Sequence, residues 1–275
     1  MNLVLVTNTY YAGGAFMAST APIGFFDSGV GGISVLKKAM ALLPQEDFVY
    51  FGDSIHAPYG DKDLDTIKRL SFQVVEKLMD YSIKALVVAC NTATSAAIED
   101  LRSIYSDLPV IGIEPALKVA VDHTETGNIL VLATKRTLEE KKFKNLLDRY
   151  KESRSVETLP LPGLVEIIEE GGDYQEKSYL YLKEALKSVE KEMSAVVLGC
   201  THYPFIKPSL RRIYGEDVLI VDGSEGTARH LKEVLAEKNL LTSKKVKGSL
   251  LILNSSPDIK FQELSLRLLE ENSDQ

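Results

Sequence analysis

The sequence predicts an α/β fold of two similar halves, each built on a parallel sheet. Three observations predict it. Short β-rich runs alternate with longer helical patterns, the order of βαβ units and of a parallel sheet. Corresponding runs in the two halves lie about 105–110 residues apart, an internal repeat. The length of 275 residues suits two units of about 100–150 residues each.

In chain order, the first four apolar runs are Ile23–Phe26, Phe48–Phe51, Ala85–Ala89 and Val110–Ile113. Their counterparts are Ile129–Leu132, Val156–Leu161, Ala195–Leu198 and Val218–Val221. The clearest match sets Ala85-Leu-Val-Val-Ala-Cys90 against Ala195-Val-Val-Leu-Gly-Cys200, so a cysteine ends the third strand of each half. Between strands, Leu64, Ile67, Ser71, Val74 and Leu78 mark one helical face. Thr137 followed by Glu140 reads as a capping box ahead of Phe143, Leu146, Leu147 and Tyr150. After Val221, Asp222-Gly-Ser-Glu-Gly leads into a long helix, and Leu250–Leu253 has no counterpart in the second half. That strand is assigned to the first lobe. The expected division is an N-terminal extension at 1–21, a first lobe at 22–114 plus 223–275, and a second at 115–222.

Hydrophobic residues are 45% and charged residues 26%, which sets aside disordered and fibrous classes. Lys plus Arg is 32 against 39 Asp plus Glu, a net charge of −7, so no global field draws the surface to nucleic acid or anionic lipid. No apolar stretch approaches the roughly 18–20 residues of a spanning helix. A cytoplasmic protein with a small-molecule partner is expected, and its two cysteines then read as free thiols. The first charged side chain is Asp27, so residues 1–21 lack the basic start of a secretory leader.

Ligands of open α/β sheets bind beyond the carboxyl ends of the strands. Five such loops are rich: Asp27-Ser-Gly-Val-Gly-Gly32, Gly52 to Gly60, Cys90-Asn-Thr-Ala-Thr-Ser95, Leu161-Pro-Gly-Leu-Val-Glu166 and Gly199-Cys-Thr-His-Tyr-Pro204. The first resembles a phosphate loop. Gly29-x-Gly31-x-x-Ser34, with Asp53 at the end of the next strand, approximates a dinucleotide fingerprint. Against that reading, Asp27 puts negative charge where a pyrophosphate would lie, and the sixth position is Ser. A carboxylate there suits an ammonium group or a proton transfer better.

Either cysteine alone reads as a small buried hydrophobe. Together their position says more, since each stands where a strand stops and a helix begins, with its dipole favouring thiolate. Two thiols and His202 offer three metal ligands at most, and no metal site is expected. Two sulfurs facing one carbon from opposite sides provide what inversion needs: one group to remove a proton, the other to return one. Asp27, Glu166 and His202 are the candidate helpers, while His56 reads as a loop or surface histidine.

The ordered set Gly24-Phe-Phe-Asp-Ser-Gly-Val-Gly-Gly32, Pro58-Tyr-Gly60, Cys90-Asn-Thr-Ala93 and Gly199-Cys-Thr-His-Tyr-Pro204 resembles the glutamate racemases of the aspartate/glutamate racemase superfamily. The resemblance runs from Ile23 to Leu241. It implies two pseudo-symmetric, doubly wound parallel-sheet lobes with the active site in the cleft between them, and cofactor-independent interconversion of L- and D-glutamate, supplying D-glutamate for bacterial peptidoglycan. Carried over, Cys90 and Cys200 are the acid/base thiols, with Asp27 assisting Cys90 and with Glu166 and His202 assisting Cys200. Substrate contacts fall to Asp27, Ser28, Asp53, Ser54, Pro58, Tyr59, Gly60, Asn91, Thr92, Thr201 and His202. A homodimer is the assembly considered. Residues 1–21 hold no Lys or Arg to meet phosphates, so regulation by a cell-wall precursor is not expected. Competing readings are an aspartate racemase, a nucleotide-binding module built on the Gly29 loop, and a pyridoxal enzyme, which the lack of lysine in these loops disfavours.

Overall fold

Strands form where β-branched and aromatic residues stand between turn residues, and their period-2 alternation assigns each side chain a face. A computed structural model, describing residues 19–113, 116–124, 126–150, 154–189 and 192–271, shows this directly. Most of the expected extension, residues 1–18, lies outside the described residues. In β1 (Ile23–Asp27), Ile23 and Phe25 enter one apolar layer and Phe26 the other. β2 (Phe48–Gly52) and β3 (Ala85–Val88) divide alike, Tyr50 and Val87 joining the layer of Phe25, Phe51 and Val88 that of Phe26.

With β4 (Val110–Gly112) and β9 (Leu250–Asn254), these strands make a parallel sheet in the order β4-β3-β1-β2-β9. The second parallel sheet joins β5 (Asn128–Ala133), β6 (Ser155–Pro160), β7 (Met193–Gly199) and β8 (Leu219–Asp222) in the order β6-β5-β7-β8. Matching β1–β4 to β5–β8 turns one order into the other, so the internal repeat is a repeat of topology. The unmatched strand β9 pairs with β2.

The helices pack on both faces of the sheets. α1 (Ile33–Leu42), α2 (Leu64–Met79) and α3 (Asn91–Ile104) follow β1, β2 and β3. α4 (Leu117–His123), α5 (Lys135–Glu139), α6 (Lys141–Tyr150), α7 (Leu164–Glu170) and α8 (Tyr174–Ala185) lie from β4 to β7. α9 (Lys207–Tyr214), α10 (Ser224–Glu237) and α11 (Lys260–Glu270) complete the set. In α2 the expected stripe holds from Ile67 onward, buried through Ser71, Val74 and Leu78, whereas Leu64 in the first turn is exposed. The Thr137–Glu140 capping box is not formed. Thr134, at the end of β5, instead accepts from the Thr137 N–H and caps α5, and extended backbone at Glu140 separates α5 from α6.

One apolar cluster runs through both lobes. It holds Phe25, Tyr50 and Val87 of the first sheet, Leu130, Leu132, Val196 and Leu198 of the second, and Leu231 and Leu235 of α10. In each sheet the winding direction reverses between neighbouring strands β1 and β3, or β5 and β7, which opens a crevice at their carboxyl ends. Asp27 and Cys90 end there in the first lobe, Thr134 and Cys200 in the second.

Candidate active site

These strand ends wall a narrow cleft. Ser28, Pro58, Tyr59, Gly60, Cys90, Asn91 and Thr92 line it from the first lobe, and Thr134, Val165, Cys200, Thr201 and His202 from the second. Both free cysteines therefore face one cavity, although they lie in different sheets.

Cys90 is the N-cap of α3, and its Sγ accepts the Ala93 N–H at 3.4 Å. Its thiol also reaches Ser28 Oγ at 3.6 Å. Burial outweighs these bonds and, with the Asp27 carboxylate nearby, pushes the Cys90 thiol up to about 12. Cys90 is thus held in its thiol form.

Cys200 stands differently. The chain beyond it first makes a turn of 3-10 helix, Tyr203–Ile206, with Pro204 in that first turn as its fixed φ allows. The polar partner of the Cys200 sulfur is His202 Nδ1 at 3.8 Å. On the far side of the ring, Nε2 meets Glu169 Oε1 at 2.8 Å. Burial alone would lower the imidazole's pKa, but its bonds to Cys200 and Glu169 prevail and raise it well above 6.5. The ring thus favours its imidazolium form, with Nδ1 turned to the Cys200 sulfur.

This corrects the assignment of Glu166, whose side chain is exposed. Val165 faces the cleft, and the residue sharing its side of α7 is four positions on, Glu169, only 8% exposed. Glu166 sits about 100° round the helix from Val165. The signal was available as a second carboxylate one turn further along the same apolar run.

Asp27 is fully buried behind the cleft wall rather than on it. Its carboxylate accepts from Thr201 Oγ1 and the Gly29 N–H, both at 3.0 Å, so its hydrogen bonds serve the opposite loop and its own turn rather than the Cys90 sulfur. Burial holds it above the usual carboxylate range despite the nearby His202 charge. The glycine loop that resembles a phosphate cradle is already filled. The Val30 N–H donates to Glu169 Oε1 at 2.9 Å. A Cβ on Gly29 would stand 1.7 Å from that oxygen, and one on Gly31 would stand 2.3 Å from His202 Nδ1. These glycines seat side chains of the other lobe, and no pyrophosphate fits.

Asp53 and Ser54 also lie off the wall. Asp53 Oδ2 accepts the Tyr59 hydroxyl at 2.6 Å, and His56 Nδ1 approaches its carboxylate at 2.9 Å, so Asp53 holds Tyr59 in place from behind. Ser54 Oγ accepts from Asn254 of β9 at 2.9 Å. Thr134 and Val165 escaped the sequence reading. Thr134 directly follows β5; its hydroxyl meets that of Thr92 of the other lobe at 3.2 Å and that of Thr137 in the following helix at 3.0 Å. Asn91 Oδ1 is buried with no hydrogen-bond partner among the described residues, an acceptor open to a ligand's ammonium. Among the described residues, no group of three or more His, Cys, Asp or Glu is arranged to hold a metal and no lysine lines the cleft.

A ligand in the cleft would meet the Cys90 thiol from one lobe and, from the other, the Cys200 sulfur beside the His202 imidazole. Hydroxyls and amides around it suit carboxylates and an ammonium.

Comparison with known proteins agrees. The family described as Asp/Glu/hydantoin racemase matches residues 33–231. A glutamate racemase of Clostridium perfringens is 54% identical over 251 residues, covering 91% of this chain and 96% of its own. Among solved structures, a Bacillus anthracis glutamate racemase superposes with a TM-score of 0.82 at 30% identity, covering 92% of this chain and 96% of that one. The Francisella tularensis glutamate racemase, solved with D-glutamate, gives 0.77 at 32% identity, with coverages of 94% and 96%.

Proposed function

The chain belongs to the Asp/Glu/hydantoin racemase family, and on that premise we propose that it inverts glutamate with Cys90 and Cys200 as its two proton-transfer groups. Its activity is glutamate racemisation, an isomerase reaction that supplies D-glutamate for the cell wall. The observation that carries the two-thiol reading is that both sulfurs face one cleft from different sheets, each in its own electrostatic setting.

The thiolate takes the α-proton and becomes a thiol. The electron pair left on carbon is delocalised into the α-carboxylate, and the opposite thiol gives its proton to the other face, ending as thiolate. The return reaction exchanges the roles. His202, oriented by Glu169, supports the Cys200 thiolate, while Ser28 and the N-terminus of α3 support Cys90 when it is ionised. Asn91 Oδ1 suits the substrate ammonium, and the Thr92 and Thr134 hydroxyls, backed by Thr137, suit a carboxylate. Tyr59, braced by Asp53, closes one wall.

Residues 22–114 with 223–275 are read as one folding unit, supported by β9 pairing with β2 and by α10 packing on α1. A cytoplasmic location and a homodimer belong to the same reading, and fractionation and sedimentation test them.

A chiral assay of the purified chain on glutamate and aspartate tests the substrate. One methylene is worth about 1–3 kcal/mol in a pocket, so glutamate is expected to be turned over at least about tenfold more efficiently. A preference for aspartate would overturn the reading.

A further inference from the structure

We propose that Ser34 is a positioning residue, holding the Cys200 thiol in register from the opposite lobe. It occupies the position where a dinucleotide fingerprint carries Gly or Ala, and nucleotide chemistry gives it no role here. Ser34 lies in the first turn of α1, buried, and its Oγ donates to the carbonyl oxygen of Thr201 at 2.9 Å. That carbonyl belongs to the peptide joining Thr201 to His202. Thr201 Oγ1 in turn donates to Asp27 Oδ1 at 3.0 Å, so both polar ends of the residue after Cys200 are held by the first lobe. Fixing this peptide plane fixes the backbone between Cys200 and His202, and with it the 3.8 Å approach of Nδ1 to Sγ. Ser34 touches neither sulfur and acts through Thr201.

The proposal rests on the two-thiol reading, and isotope effects separate the two. L- and D-glutamate are mirror images of equal free energy, so kcat/KM is equal in both directions for any variant. The α-deuterium isotope effects carry no such constraint. A misplaced Cys200 slows only its own transfer, so the effect rises for the enantiomer Cys200 deprotonates and falls for the other. In Ser34→Ala, kcat is expected to drop about 10–100-fold, as small displacements at a reacting centre do. KM should move less than about threefold, because the lost contact does not bind substrate. Ser34→Thr, which keeps the hydroxyl, should recover most of the rate. Ser34→Cys keeps the shape with a weaker donor, covers the case where Ala does not fold, and should show the same split at smaller size.

Wild-type kcat in Ser34→Ala overturns the proposal. A loss of rate with both isotope effects unmoved, in whichever variant folds, overturns it equally, since reduced folding lowers activity without splitting them. If the wild type itself fails to racemise glutamate, the two-thiol reading falls and takes this proposal with it. An active wild type beside an unaltered Ser34 variant defeats this proposal alone.

Discussion

His202 Nε2 lies 2.8 Å from Glu169 Oε1, and the same ring turns its Nδ1 toward the Cys200 sulfur. One imidazole thereby joins a buried carboxylate to a reacting thiol, and Glu169 also accepts the Val30 N–H of the other lobe. Orientation of the ring and closure of the cleft depend on the same oxygen. Glu169→Gln should lower kcat roughly 100-fold, within the range general acid–base support supplies. Glu166→Gln, at an exposed position, should stay within about twofold of wild type. Steady-state kinetics on the two variants separates the assignments, and the opposite ranking would restore Glu166.

The two thiols should differ in reactivity. With burial pushing Cys90 up to about 12, it stays a thiol at pH 7. Cys200 has the imidazolium beside it. Brief treatment with iodoacetamide at pH 7, followed by peptide mass mapping, should label Cys200 first. His202→Gln should remove most of that preference.

A raised imidazole also sets a pH dependence. The folded value for His202 lies above the ordinary 6.5, so its contribution to stability is fully present below about pH 6.5 and is lost as the pH climbs through the folded value. The Tm deficit of His202→Gln should therefore be larger at pH 6 than at pH 9. A deficit that grows with pH would contradict the imidazolium.

Gly31→Ala would place a methyl 2.3 Å from His202 Nδ1 and 2.6 Å from Thr201 Oγ1. These neighbours are buried and hydrogen-bonded, so the lobes must part or the ring must turn. Activity should fall at least about 100-fold, and stability by about 1–3 kcal/mol, the scale of overpacking. Kinetics and a thermal melt measure both. Unchanged activity would mean the glycine loop is not a seat for the other lobe.

The strand alternation and the spacing of the repeat made the two sheets legible, because apolar faces must be buried wherever strands pair. Cys90, Asn91, Thr92, Cys200, Thr201 and His202 were legible because they directly follow strands that the sheet order brings to the crevice. Glu169 was not, since choosing between carboxylates three residues apart needs the rotation of α7 about its axis, which packing decides. Asp53 and Ser54 looked like wall residues because a loop sequence does not reveal which side chains turn inward to brace it. The role of the glycines as seats for Glu169 and His202 depends on residues about 140–170 positions away, a distance over which no local pattern speaks.

The most direct test follows the α-hydrogen of glutamate in heavy water by proton NMR and chiral analysis, for wild type, Cys90→Ala and Cys200→Ala. Wild type should invert glutamate with one solvent deuterium gained at the α-carbon per inversion, and neither variant should invert it at a measurable rate. Inversion without deuterium, or wild-type inversion by either variant, would contradict proton transfer by two thiols.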